Sequence, residues 1–399
     1  IGGREVVIKL LFLGTRSIDD QSAWSGTMYQ MAQAIKNDDR YSVFALEVPG
    51  ISNLDKIRNK WLAIKRKIFS PSKIYISNID IRQAELNGER LTKLLAKEAQ
   101  KNPVDIIFAP AMSTYMVGLK TDTPIIYLSD ATFALMNNYY WFGLSKKEVE
   151  NGNCIEQAAQ TIAIASIFSS SWAADSARDD YQTPENKVNV LPFGANLQMP
   201  EVVEPKQVDL SKTIKILLVG TDYHRKGVDI AEQVIQRLND NTNVHYELIV
   251  IGVNRPDTKF THFVGLLDKG KQADYDKLVQ YYHESSLFLL PTKAEAAGIV
   301  FAEASMFGLP TLTFDTGGIG EYILNDINGY RIPLDSQDIV ASFADKIDEI
   351  VTDEKLYNRL SVGAVEQYRN RLNWNQWLTG FNKIVDHVLT KESDKSWVS

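Results

Sequence analysis

The sequence holds one cysteine in 399 residues, Cys154. That excludes an intrachain disulfide and a thiolate-built metal site, and it fits a reducing compartment. Histidine is scarce, and all five (His224, His245, His262, His283 and His387) fall in the second half. No stretch approaches the roughly eighteen continuous apolar residues of a membrane span, and the start shows no signal-peptide pattern, so a cytoplasmic location is expected. Positive charge is in deficit. A net charge of −7 withholds the basic face that a general nucleic-acid binder needs. Asp274-Tyr275-Asp276, the one Asp-x-Asp, stands before a helical pattern over 277–283. It reads as N-terminal capping rather than as a divalent pair, so neither a metal nor a cofactor is expected.

What is present is enough apolar residue for two separate cores, 44% of the chain. Apolar runs with little polar alternation occur at 6–13, 104–108, 125–128 and 162–168, and again at 214–219, 247–251, 262–266, 287–290, 311–314 and 329–332. Such runs, with helical patterns between them, read as buried strands of mainly parallel sheets. The polar, proline-bearing stretch 197–211 reads as an interdomain hinge. Two long amphipathic patterns follow at 339–352 and 354–371.

Five loops at strand ends carry the candidate chemistry, because ligands of open α/β sheets bind outside the carboxyl ends of strands. After 287–290 comes Glu295, and the helix over 299–307 opens at Gly298, Ile299 and Val300, whose amides would favour an anion such as phosphate. Glu303 follows about one turn into that helix. The ordinary alternative is a pair of solvated helix-end acids. After 214–219, Gly220-Thr221-Asp222-Tyr223-His224-Arg225-Lys226-Gly227 puts a basic pair between glycines, which suits a second phosphate site; surface charge is the plainer reading. Gly252, at the end of 247–251, would admit a flat base. In the first half, the loop from Gly14 to Gly26 follows the first strand and Asp130 follows the run 125–128. Asp130 is either a ligand contact or a helix N-cap. A further stretch, 56–68, has six basic side chains and Ile57, Trp61, Ile64 and Ile68 on one helical face. It either turns that stripe to the core or lies on an anionic membrane surface.

Glu295 and Glu303 with seven residues between them, then Gly308-Leu309-Pro310, Gly317-Gly318, Glu321 and Asn328-Gly329, resemble the signature of retaining GT-B glycosyltransferases of the family-four kind, the group 1 glycosyl transferases. The resemblance implies two facing Rossmann-like domains, 1–198 on the acceptor side and 199–377 on the nucleotide-sugar side, with 378–399 crossing back to the first. It implies transfer of a sugar, with retention of configuration, from a nucleoside diphosphate sugar to a sugar, lipid-linked or small-molecule acceptor. Glu303 would then hold the ribose and Glu295 the donor sugar. Lys226, Arg225 and the amides of Gly298 to Val300 would meet the diphosphate, and Gly14 would let backbone approach it. The family's arginine after the strand-ending Gly220 is replaced by Thr221, its first-domain histidine is replaced at best by Asp130, and Ser25 stands where a second glycine is common. These departures keep two other readings open: a catalytically weak nucleotide-sugar-binding partner of another glycosyltransferase, and a GT-B nucleotide-sugar epimerase. If 56–68 meets a membrane, the protein would work at the inner face.

Overall fold

The computed structural model describes residues 7–48, 79–197 and 204–396. The basic pattern over 56–68 lies outside them. The chain divides into two compact units, Ile1–Leu191 with Leu378–Ser399, and Pro192–Trp377.

The first unit is a six-stranded parallel sheet in the order β2-β1-β3-β4-β5-β6. Its strands are β1 (Ile8–Gly14), β2 (Tyr41–Glu47), β3 (Ile106–Pro110), β4 (Ile125–Ser129), β5 (Ala165–Phe168) and β6 (Val188–Val190). Its helices are α1 (Thr27–Lys36), α2 (Ile81–Lys101), the short α3 (Phe133–Met136), α4 (Lys146–Ile162) and α5 (Ser171–Asp179). β3, β4 and β5 are buried at every position, which is why they appear as unbroken apolar runs. The run at 162–168 is divided: Ile162 ends α4, and the strand starts at Ala165 after Ala163 leaves the helical region.

The second unit is a six-stranded parallel sheet ordered β12-β11-β10-β7-β8-β9. It contains β7 (Ile214–Val219), β8 (Tyr246–Ile251), β9 (Thr261–Gly265), β10 (Leu287–Leu290), β11 (Thr311–Phe314) and β12 (Gly329–Ile332). The helices are α6 (Val228–Asn241), α7 (Gln272–Glu284), α8 (Ile299–Met306), α9 (Ile339–Thr352) and α10 (Glu354–Asn370). α7 begins at Gln272, so the Asp-x-Asp lies in its first turn rather than before it. Asp274 there accepts from the Asp268 amide at 3.0 Å, tying the preceding turn to the helix.

The last helix, α11 (Trp374–Ser396), belongs to the first unit from Leu378 onward. There the Phe381 ring stands 5.0 Å from that of Phe108 on β3. Tyr41 donates to Asn382 at 2.6 Å, and Asn382 donates to Asp38 at 2.9 Å. An apolar ring seated in the core and a polar edge fixed to the first unit's surface hold the chain's return segment in place.

Candidate functional site

In the second sheet the strand order reverses between β7 and β10, the place where an open α/β sheet leaves a crevice at its carboxyl edge. The loops after those two strands carry the basic pair and Glu295. Gly227 joins them closely. It opens α6 at φ 71°, and a Cβ there would lie 2.0 Å from the Pro291 carbonyl oxygen, so only glycine lets the helix start against the end of β10. The Lys293 amide donates to the Arg225 carbonyl at 2.8 Å, and the Arg225 guanidinium returns a bond to the Ala294 carbonyl at 3.1 Å. The two loops therefore form one continuous body.

Within that body the Lys226 ammonium is ion-paired and hydrogen-bonded to the Glu295 carboxylate. Arg225 Nη1 lies 4.0 Å from the same carboxylate oxygen. The Lys226 and Glu295 side chains are only 11% and 12% exposed, so water screens the pair weakly. Thr221 is exposed and uncharged, and the second cation beside Glu295 is Arg225. Glu295 is also fixed from behind, where its carbonyl accepts from the Gly318 amide at 3.1 Å. The Gly317-Gly318 turn is thus a support for this loop.

The helix that follows opens at Gly298, φ 75°, and the first amide to bond back is that of Phe301, to the Gly298 carbonyl at 2.9 Å. The Gly298, Ile299 and Val300 amides precede that bond, at the positive end of the helix dipole. α8 is buried through most of its length, and Glu303 with it, fully inaccessible. Its carboxylate accepts from Lys269 Nζ at 2.5 Å and from the Tyr282 hydroxyl at 3.0 Å. Glu295 and Glu303 are thus held by separate lysines, and a ribose could reach Glu303 only after Lys269, 37% exposed, moved aside. A lysine 34 positions upstream in a polar turn had no sequence signal to connect it with Glu303. Arg255 was equally hidden; its guanidinium lies 4.1 Å from the centre of the Tyr223 ring, beside the loop after β7.

The remaining signature positions hold the unit together. The buried Asn328 accepts from the Leu324 amide at 2.8 Å and donates to the Tyr322 carbonyl at 2.9 Å, and Glu321 pairs with Arg371 at 2.5 Å. At three glycines read as ligand-facing, an added side chain would meet the chain's own atoms. A Cβ on Gly220 would lie 2.7 Å from the Lys226 stem, on Gly252 2.5 Å from the Gly220 carbonyl, and on Gly14 2.8 Å from the Arg16 carbonyl. Each absence of a side chain serves loop packing, and Gly220 in particular seats Lys226.

In the first unit the order reverses between β1 and β3. Asp130 follows β4, and the Trp24 indole N–H donates to its carboxylate at 3.3 Å. It is not the N-cap of α3; Thr132 is, accepting from the Leu135 amide. Trp24, Ser25 and Gly26 are all left-handed, at φ 49°, 57° and 88°. Ser25 therefore occupies a conformation that glycine adopts without strain. Asp130, Thr15 and Arg16 border a cavity of about 770 Å³ that runs inward to Tyr127 and Glu156.

The family described as Glycosyl transferases group 1 matches residues 203–367. Those residues are a group 1 glycosyl transferase domain. The chain is 27% identical over 217 residues to D-inositol 3-phosphate glycosyltransferase of Xylanimonas cellulosilytica, covering 49% of this chain and 50% of that protein. It is 30% identical over 156 residues to lipopolysaccharide glucosyltransferase WaaG of Escherichia coli, covering 36% and 41%. The matched stretch thus spans about half the length of these curated relatives. Sucrose-phosphate synthase from Thermosynechococcus elongatus superposes over 96% of this chain and 100% of that one, with TM-score 0.65 at 14% identity. The fold is that of the GT-B glycosyltransferases. The group 1 domain contains the whole Lys226–Glu295 body, α8 and the Glu303–Lys269 pair.

Proposed function

We propose that the protein is a retaining hexosyltransferase that takes its sugar from a nucleoside diphosphate sugar. The observation that carries this reading is the Lys226–Glu295 pair with Arg225 at 4.0 Å, set at the strand-order reversal of a group 1 domain and followed by a helix N-terminus. Two cations and a set of helix-opening amides suit a diphosphate, and a carboxylate among them suits sugar hydroxyls. Similarity to D-inositol 3-phosphate glycosyltransferase and to a lipopolysaccharide glucosyltransferase supports the reaction class.

In this reading Lys226, Arg225 and the Gly298–Val300 amides stabilise the charge that grows on the diphosphate as its bond to the anomeric carbon breaks. The acceptor hydroxyl bonds to that carbon from the face the diphosphate leaves, and its proton passes to the departing phosphate oxygen. Glu295 positions the donor sugar, and Asp130 offers a carboxylate to the hydroxyls of a ligand held by the first unit. Glu303 takes the ribose hydroxyls once Lys269 has moved, as a carboxylate does in dinucleotide folds. The acceptor is assigned to the first unit, and no metal is required.

A panel of nucleoside diphosphate sugars tests the proposal. Slow release of nucleoside diphosphate, abolished in Lys226→Ala, is the expected result. Saturable binding with no consumption would make the protein a nucleotide-sugar-binding partner instead. An isomerised sugar still attached to its nucleotide would make it an epimerase.

A further inference from the structure

Lys206 lies in the stretch expected to be an interdomain hinge, yet its backbone and its side chain are both bound inside the second unit. An ammonium has three N–H donors. Lys206 gives them to the carbonyls of Tyr282, His283 and Ser285, at 2.9, 2.6 and 2.7 Å. These carbonyls stand at the end of α7, where the helix has no amides of its own to offer them, and a cation there also meets the negative end of the helix dipole. The Lys206 amide donates to the Ser361 hydroxyl of α10 at 2.7 Å, and that hydroxyl donates to the Gly308 carbonyl, just past α8, at 2.7 Å. One residue thus ties the ends of α7 and α8 together.

Those two helices carry the two partners of one buried hydrogen bond. Tyr282, in the last turn of α7, donates its hydroxyl to Glu303 Oε2 on α8 at 3.0 Å, and both side chains are fully inaccessible. Lys269 takes the other oxygen, Oε1. The Tyr282 ring is stacked between Phe288 of β10, 6.2 Å away, and Phe307 after α8, 5.0 Å away, with planes 11° and 13° from parallel. Apolar stacking is non-directional within the ring plane, so it does not set how far the hydroxyl reaches. The backbone of Tyr282 sets that, and its carbonyl is one that Lys206 holds.

We infer that Lys206 is a positioning residue for Glu303: by fixing the last turn of α7 it keeps the Tyr282 hydroxyl on Oε2, which leaves Oε1 as the oxygen that a ribose can take from Lys269. Without that hold the carboxylate is free to turn both oxygens to Lys269, and the internal ion pair gains at the ligand's expense. The inference rests on the reading of Glu303 as the ribose carboxylate.

Calorimetry on the full chain, with a nucleoside diphosphate and separately with inorganic pyrophosphate, tests it. Lys206→Met keeps the stem and loses the donors, and it should bind the nucleoside diphosphate about fivefold more weakly. Pyrophosphate, which meets only Lys226, Arg225 and the helix-opening amides, should stay within about twofold of the parent. A loss of stability alone would move both ligands or neither. Tyr282→Phe should show the same selective loss, and the double variant should bind no more weakly than the weaker single one, because two residues acting through one hydrogen bond do not add. Should Lys206→Met not fold, Lys206→Gln, which keeps two N–H donors, takes its place with a selective loss of about threefold. Parental nucleoside diphosphate affinity in the Lys206 variant, an equal loss for pyrophosphate, or additive losses in the double variant would each overturn the inference and leave the transferase reading standing. A parent that binds no nucleoside diphosphate would remove the transferase reading, and this inference with it.

Discussion

Replacing Glu295 by glutamine should tighten nucleoside diphosphate binding while slowing sugar transfer. In the structure the carboxylate already occupies the Lys226 ammonium, with Arg225 Nη1 4.0 Å away, so an incoming diphosphate must compete with an internal anion for the same cations. A charge-assisted hydrogen bond at a poorly hydrated site is worth about 1.5–3 kcal/mol, and glutamine keeps the shape while giving up the charge. With part of that energy returned to the ligand, affinity should rise about tenfold, ~1.4 kcal/mol. The same change removes a partner from an ammonium that is 11% exposed, which should lower unfolding free energy by about 1–3 kcal/mol. Transfer should fall by about 10–100-fold through the lost sugar contact. Calorimetry with a nucleoside diphosphate, alongside urea unfolding, measures both equilibrium terms. Weaker nucleotide binding in Glu295→Gln would refute the competition argument, because it would mean that the carboxylate does not hold the cations away from the phosphate.

Three further outcomes are expected. Glu303→Ala should weaken nucleoside diphosphate binding by about 1–3 kcal/mol, and unchanged affinity in calorimetry would remove Glu303 from the site. Asp130→Asn should keep nucleoside diphosphate affinity and melting temperature near the parent yet lower turnover of the full donor, since Thr132, not Asp130, caps α3; parental turnover would end its assignment as a ligand contact. Glu156 gives a pH dependence whose sign follows from a folded pKa of about 7, raised by burial above the ordinary 4.5. Its contribution is full below the unfolded pKa and is lost as pH rises toward 7, because the unfolded carboxyl ionises first. That loss is about 3 kcal/mol between pH 4.5 and 7, flat above, and urea unfolding at pH 5 and 8 should show it in the parent and not in Glu156→Gln.

The second unit was legible because its central strands are buried on both faces. β10 appears in the sequence as an unbroken apolar run, and β7 and β11, interrupted by Lys215 and by Thr311 and Thr313, still read with the same bounds as in the structure. β2 escaped notice because it is a half-exposed edge strand with a mixed pattern, Tyr-Ser-Val-Phe-Ala-Leu-Glu. Strand order is not written in any run of residues, so the closeness of Lys226 and Glu295, 69 positions apart, rested on resemblance until the β7–β10 pairing placed their loops side by side. Glu303 shows the opposite limit. Spacing put it one turn into a helix, but nothing local indicated that the helix is buried nearly all round or that Lys269 closes over the carboxylate. Gly14, Gly220 and Gly252 do mark close approaches, and the groups that a Cβ would meet there belong to the chain itself.

The most direct test of the central claim is proton NMR of the first turnovers, with the full chain, a consumed nucleoside diphosphate sugar and a hydroxylated acceptor, following the anomeric signal before free sugar can equilibrate. The account predicts that nucleoside diphosphate appears in step with a glycoside of the donor's own anomeric configuration, and that Lys226→Ala removes both signals together. A product of inverted configuration, or a donor that binds and is never cleaved, would contradict it.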